Sequence, residues 1–115
     1  MIDYRKVIEK AYAAFNKRDI DTVLSLMHPE IKWPNGWEGG YVFGHEGVTD
    51  YWTRQWKELD PTVDPLSVKT LPDGSIEVDV HQVVKDKKGQ LLADGKVKHV
   101  YYFDEDKIMR MEIRV

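Results

Sequence analysis

The sequence has no cysteine. That absence excludes disulfide scaffolds, thiolate zinc sites, iron–sulfur clusters and cysteine nucleophiles. It also lacks any apolar run near the roughly 18 residues of a membrane span. The opening MIDYRKVIEK is a polar helical stretch rather than a signal peptide, so a cytoplasmic setting is expected. Neither sign of charge dominates: 17 Lys and Arg stand against 20 Asp and Glu, a net −3. Such a surface points away from nucleic acid and from anionic membranes as partners. Gly-x-Ser-x-Gly, a phosphate loop and a dinucleotide fingerprint are missing, and no cofactor is expected. His45-Glu46 does not begin a zinc-protease motif, because position 49 is Thr49 rather than histidine. His28, His45, His81 and His99 lack ligand spacing, so no metal is expected. No repeat or linker divides the chain, and 115 residues suit one domain, 1–115.

What is present divides by period. Residues 2–17 carry one apolar stripe of Tyr4, Val7, Ile8, Ala11, Tyr12 and Phe15, the spacing of a helix. Asp19 caps a second, short helix striped by Ile20, Val23, Leu24 and Met27, with Pro29 as its stop. Residues 30–33 suggest a short strand with Ile31 and Trp33 on one side. Four glycines and a proline in residues 34–44 predict an irregular segment, whose glycines serve as hinges of a lid or simply of a flexible loop. A third helix is expected over 46–59. Its inner face holds Val48, Tyr51, Trp52, Gln55, Trp56 and Leu59, and Asp60-Pro61 ends it. From Leu66 onward the period is two. Turns at Pro72-Asp73-Gly74-Ser75, Lys87-Lys88-Gly89 and Asp104-Glu105-Asp106 mark off four strands. The expected class is α+β, a four-stranded antiparallel meander wrapped on N-terminal helices.

Alternation sorts the strands into faces. Ile76, Val78, Val80, Gln82 and Val84 turn inward, as do Val97, His99, Tyr101 and Phe103, then Met109, Met111, Ile113 and Val115. The predicted interior thus contains His99, Gln82 and Gln55, with hydroxyls from Tyr12 and Tyr101. An unpaired buried polar group costs roughly 1–3 kcal/mol, so these groups bond each other or face a cavity. Leu71, Val83, Val100, Tyr102 and His81 fall on the outer face. They are either scattered exposed residues or a patch for a homodimer formed sheet to sheet, the reading preferred here.

The order AYAAFNKRDIDTVLSLMHPEIKW, an aromatic and glycine-rich segment, GHEGVTDYWTRQW and a meander ending in VKHVYYFDEDKIMRMEI resembles the SnoaL-like branch of the nuclear transport factor 2-like superfamily. Ketosteroid isomerases, polyketide cyclases and scytalone dehydratase belong to that superfamily. The resemblance spans the whole chain. It implies a cystatin-like, cone-shaped curved sheet closed by helices, with a pocket at the open end and dimers packed through the sheet. The ketosteroid isomerases use an Asp general base with a Tyr and a protonated Asp as oxyanion hole. By that resemblance the oxyanion tyrosine falls on Ala11, one before Tyr12. The base falls near Pro34 and Asn35, and the protonated acid on His99. The sequence departs at all three positions, so steroid isomerisation is not implied. Scytalone dehydratase uses histidine and tyrosine in a similar cone.

His99 is the candidate acid–base residue: burial keeps an imidazole neutral, able to take a proton beside a carbonyl or donate a hydrogen bond to one. The plainer reading is a core histidine bonded to a neighbour. Gln82 and Gln55 are candidates to orient a ligand oxygen, or helix-to-sheet ties. Tyr12 and Tyr101 are candidate oxyanion partners, or core fillers. Trp33 and Trp37 flank the expected pocket mouth and would contact a flat apolar ligand or cage a cation, whereas Trp52 and Trp56 share a helix face and belong to the core. Two functions follow. One is a cofactor-free isomerase, cyclase or dehydratase acting on a small apolar carbonyl or hydroxyl compound. The other is a non-catalytic ligand-binding or dimerisation module.

Overall fold

A computed structural model of the chain describes residues 3–36 and 38–114. Trp37 and Val115, both assigned roles above, lie outside the described residues.

Asp3 caps α1 (Tyr4–Asn16) by accepting from the amides of Arg5 and Lys6. The stripe buries Ile8, Ala11 and Tyr12, and Tyr4 stacks on Phe103 with ring centroids 4.1 Å apart. Asn16 finishes the helix and ties it to the sheet. Its side-chain amide donates to Val63 O at 2.8 Å and accepts from Val63 N at 3.0 Å, imitating a strand partner. Asp19 caps α2 (Ile20–Ser25) as expected, accepting from Thr22 N. This helix ends at Ser25, ahead of Pro29, because the chain already pairs there: Ile108 N donates to Leu26 O at 2.9 Å.

β1 (Met27–Pro34) then runs parallel to the last strand, with Met27 opposite Ile108 and Lys32 opposite Arg110. Pro29 sits in the irregular stretch between those two pairs, where its missing N–H breaks no ladder. The 34–44 segment is not an irregular loop. It turns tightly through Asn35 N to Gly40 O at 2.9 Å, with Gly39 and Gly40 at φ 91° and 75°, and continues as β2 (Tyr41–Phe43), antiparallel to β1. The glycines supply left-handed backbone for a hairpin turn, which composition alone does not separate from a flexible loop.

α3 (Gly44–Glu58) leads directly into β3 (Leu59–Thr70). Asp60-Pro61 does end the helix, and Pro61 and Pro65 then lie in an edge strand, where prolines are tolerated. β4 (Ile76–Asp86), β5 (Leu91–Asp104) and β6 (Lys107–Arg114) follow as a meander. Asp104 pairs with Lys107 around Glu105 and Asp106, both at positive φ, the two-residue hairpin geometry. The sheet therefore has six strands in the order β2-β1-β6-β5-β4-β3, one pair of them parallel, rather than four antiparallel ones. It curves as an open sheet around the helices, and the α+β class stands.

Three side-chain placements differ from strict alternation. Ile108 lies opposite Phe103 while Arg110 lies opposite Tyr102, so Met109 is an extra residue. This bulge puts Ile108 and Met111 in the core and leaves Met109 half-buried. A second bulge at Leu66, between the pairs Pro65–Val80 and Ser67–Asp79, exposes Leu66. Third, Val100 is completely buried although it lies on the outer face. Its cross-strand neighbours are Glu77 and Glu112, whose side chains keep only 18% and 25% exposure. Partly buried glutamate stems on either side account for that burial.

Candidate functional site

The concave face is built in rungs. One rung crosses Val68, Val78, His99 and Ile113; the next crosses Thr70, Ile76, Tyr101 and Met111. β5 alternates without a break here, so His99 and Tyr101 both face α1. Tyr12, one turn beyond Ile8 on the buried stripe of α1, comes down between them. Tyr12 Oη lies 2.7 Å from His99 Nδ1, and Tyr101 Oη lies 2.7 Å from Tyr12 Oη. The Tyr12 and His99 rings are nearly parallel, 13° apart, while Tyr101 stands edge-on to Tyr12 at 86°. Exposure is 5% for Tyr12, 6% for His99 and 2% for Tyr101.

Burial dictates the charge of all three. It pushes His99 down from 6.5 to about 4, so the imidazole is neutral at neutral pH. Burial, reinforced by the neighbouring Tyr101 hydroxyl, pushes Tyr12 well above the ordinary tyrosine range. Burial likewise raises Tyr101, and its hydrogen bond with Tyr12 opposes the rise. The cluster is a neutral hydrogen-bond chain in apolar surroundings; His99 Nε2 has no protein partner among the described residues and is not one of their fully buried unpartnered atoms, so this nitrogen is the open end of the chain.

The other candidates are placed differently. Trp33 is half-buried and meets Trp52 edge-on at 5.5 Å, with its ring 6.3 Å from Tyr101. It therefore forms the aromatic wall beside the chain rather than a free pocket rim. Trp52 and Trp56 stack at 5.7 Å and are core, as expected. Gln55 is half-buried and donates to Tyr51 Oη at 3.4 Å, a contact within α3 rather than a tie to the sheet. Gln82 faces inward but pairs with Gly95, whereas Val78 pairs with His99. At about 3.3 Å per residue that separates Gln82 from the imidazole by roughly 13 Å along the strand. The two do not share a ligand atom.

The sequence did not disclose how the 34–44 hairpin is anchored. Arg54 Nη1 donates to both Glu38 carboxylate oxygens, at 2.9 and 2.8 Å, and its Nε donates to Asp50 at 3.1 Å. Tyr41 Oη donates to Glu112 at 2.7 Å. The one local signal for this anchor is the spacing of four between Asp50 and Arg54. A depression of about 430 Å³ on the outside of α3, lined by His45, Glu46, Thr49, Asp50 and Thr53, shares no residue with the concave cluster.

His28, Asp104 and Glu105 place potential ligand atoms within 4.8 Å of one another, a grouping the spacing of the histidines did not reveal. His28 Nδ1 accepts from Glu30 N at 3.0 Å, which leaves the ring proton on Nε2, facing Asp104 at 3.9 Å. That nitrogen offers no lone pair to a metal, and the two carboxylates are exposed.

Fold and cluster together define a curved-sheet α+β domain with a neutral polar chain on its concave face. The chain belongs to the SnoaL-like domain family, which matches residues 8–111. No curated protein matches it. Among solved structures it is similar to TerC co-crystallised with polyporic acid (28% identity, 94% of this chain and 87% of that one, TM-score 0.81). It is also similar to an NTF2-like protein of unknown function from Burkholderia pseudomallei (21% identity, 99% and 91%, TM-score 0.84). A third likeness is to a candidate polyketide cyclase from Pseudomonas putida (18% identity, 100% and 92%, TM-score 0.77). The last two establish the fold alone. No helix among the described residues is long and apolar enough to cross a membrane.

Proposed function

We propose that the protein binds a small, largely apolar carbonyl or hydroxyl compound against the concave face. In this reading His99 handles the compound's oxygen in a cofactor-free isomerisation, cyclisation or dehydration. The observation that carries it is a neutral, largely buried imidazole whose Nδ1 is held by Tyr12 while Nε2 has no protein partner among the described residues and is not sealed from water. A side chain that existed only to fill the core would be cheaper as leucine, since every buried polar atom needs a partner. Trp33 beside Tyr101 supplies an aromatic wall for a flat ligand. The likeness to TerC, crystallised with polyporic acid, supports the same ligand chemistry.

Titration with polyporic acid, read by tryptophan fluorescence, tests this. Saturable binding that His99→Ala weakens tenfold or more, about 1.4 kcal/mol, supports the reading. Full affinity in His99→Ala, with the fold intact by circular dichroism, overturns the role of His99. No binding by the wild type counts against the ligand class.

A second reading, a non-catalytic binding or dimerisation module, is favoured by the place where the resemblance puts a carboxylate base. Pro34 and Asn35 occupy it, and Asn35 is engaged with Glu38, donating from Nδ2 at 3.0 Å and accepting from Glu38 N at 2.7 Å. A homodimer through the convex face would use the half-buried Leu71, Val83, Tyr102 and His81, since Val100 is already covered. Sedimentation at increasing concentration separates monomer from dimer.

A further inference from the structure

The proton positions in the Tyr101–Tyr12–His99 chain follow from its closed end. Tyr101 is buried, and its hydroxyl has one partner among the described residues, Tyr12 Oη at 2.7 Å. A phenolic hydroxyl has one proton to give and lone pairs to receive. An idle lone pair is tolerated, whereas a buried O–H without an acceptor loses its whole hydration and gains nothing in return. Tyr101 therefore donates to Tyr12. Tyr12 has then accepted, and its own proton has one acceptor among the described residues, His99 Nδ1 at 2.7 Å. With Nδ1 accepting, a neutral imidazole carries its proton on Nε2. Reversing the chain, so that Nδ1–H donates to Tyr12 and Tyr12 to Tyr101, would strand the Tyr101 proton in the core, whereas His99 Nε2 is not among the fully buried unpartnered atoms, so that an N–H there is open to water. Burial keeps the ring neutral, so only one of its nitrogens carries a proton.

We propose that Tyr101, acting through Tyr12, is the positioning residue that locks His99 in the Nε2–H tautomer, so that the site meets its ligand as a hydrogen-bond donor and selects compounds offering an oxygen acceptor. A ketone, a carboxylate or an enolate oxygen satisfies Nε2–H; a ligand presenting only donors does not. Within the function proposed above, on which the ligand half of this inference rests, His99 is thereby a polarising donor. Its free lone pair is on Nδ1, already occupied by Tyr12, so proton abstraction at Nε2 is closed to it.

The lock is read in ligand-free protein labelled with ¹⁵N-histidine, from two- and three-bond proton–nitrogen correlations at pH 7, with His99→Gln assigning the signals. The expected result is a protonated, pyrrole-type Nε2 and an unprotonated, pyridine-type Nδ1. Tyr101→Phe keeps the ring and removes the proton that sets the polarity, so both nitrogens should move toward the averaged values of mixed tautomers. A pyridine-type Nε2 in the wild type overturns the lock. So does a Tyr101→Phe protein that is folded and keeps the wild-type pattern. Should Tyr101→Phe fail to fold, the wild-type spectrum still decides the polarity, and Tyr101→Leu, which carries no donor, replaces it in the comparison. Saturating polyporic acid should shift the Nε2–H proton downfield; saturation that leaves it unmoved overturns the ligand half. The lock can fail while polyporic acid still binds, and binding can fail while the lock stands, so the two results are separable.

Discussion

The two faces of β5 invert the usual assignment of polarity. Residue 99 is a histidine and points into the core; residue 100 is a valine and points away from it. Both are buried, at 6% and 0%. They reach that state by different physics. Val100 is covered by the stems of long charged neighbours, within a lattice in which Lys98 approaches Glu77 at 3.4 Å and Arg110 lies over the Tyr102 ring at 4.0 Å. His99 is enclosed by apolar rungs, and its polarity is absorbed by one internal hydroxyl chain. On the convex face polarity is shared among many solvent-touching ions, each dispensable. On the concave face it is concentrated in three neutral groups, and removing either acceptor, Tyr12 Oη or His99 Nδ1, strands a donor. A site that must bind a ligand without solvent competition fits the second arrangement.

The largest effect is expected at the middle of that chain. Tyr12→Phe keeps the ring but removes the group that serves both neighbours, leaving His99 Nδ1 and the Tyr101 hydroxyl unpaired at once. With roughly 1–3 kcal/mol for each stranded group, the expected loss in urea unfolding is about 3–4 kcal/mol. A loss below about 1 kcal/mol would mean that water reaches these groups and that the concave cluster is no more concentrated than the convex one.

Acid is the next probe. In the unfolded chain an imidazole titrates near 6.5, and in the fold burial holds His99 at about 4. Between those values the unfolded state binds the proton and the native state does not, so stability falls as pH drops from 6.5 to 4 and then levels. The contribution is roughly 3 kcal/mol, from the shift at 1.36 kcal/mol per pH unit. The difference between wild type and His99→Gln, measured as unfolding free energy against pH, isolates this term from the carboxylates. Parallel pH profiles for the two proteins would show that His99 is solvated after all.

The inward direction of His99 and Tyr101 was legible because β5 alternates regularly from Val97 to Phe103, and Tyr12 was legible from the helical stripe. Their contact was not: it joins residues 87 and 89 positions apart, and no local pattern encodes which hydroxyl meets which nitrogen. Alternation also failed where a bulge inserts Met109 and where long neighbours close over Val100. It failed again where the glycines of 34–44 build a hairpin instead of a hinge. The parallel β1–β6 pairing was illegible for the same reason as the hydroxyl chain, since it joins Met27 to Ile108, far apart in sequence. In each case the deciding contact is non-local, whereas period and capping are local. The same limit applies to Gln82, whose inward parity was read correctly while its distance from His99 awaited the register.

On the convex face Val100→Ala should cost about 1–2 kcal/mol, the range for removing buried methyl groups. An ordinary outward-facing strand residue would cost within about 0.5 kcal/mol. Thermal unfolding of the single variant distinguishes them. The smaller figure would show that the charged stems move aside freely and that Val100 is buried only in a static sense.

The smallest effect tests the charges themselves. Lys98 approaches Glu77 and Asp79 at 3.4 and 3.7 Å but is itself 49% exposed. Exposed pairs of this kind are screened by salt and lose much of their attraction to side-chain ordering. Lys98→Met keeps most of the aliphatic stem and deletes the charge, so it should change stability by no more than about 0.5 kcal/mol and leave Val100 covered. Raising salt should likewise leave the wild type nearly unchanged. If Lys98→Met instead cost as much as Val100→Ala, the ion pairs rather than the stems would be holding the convex face closed. The contrast between a shared, replaceable polarity outside and an indivisible one inside would then lose its outer half.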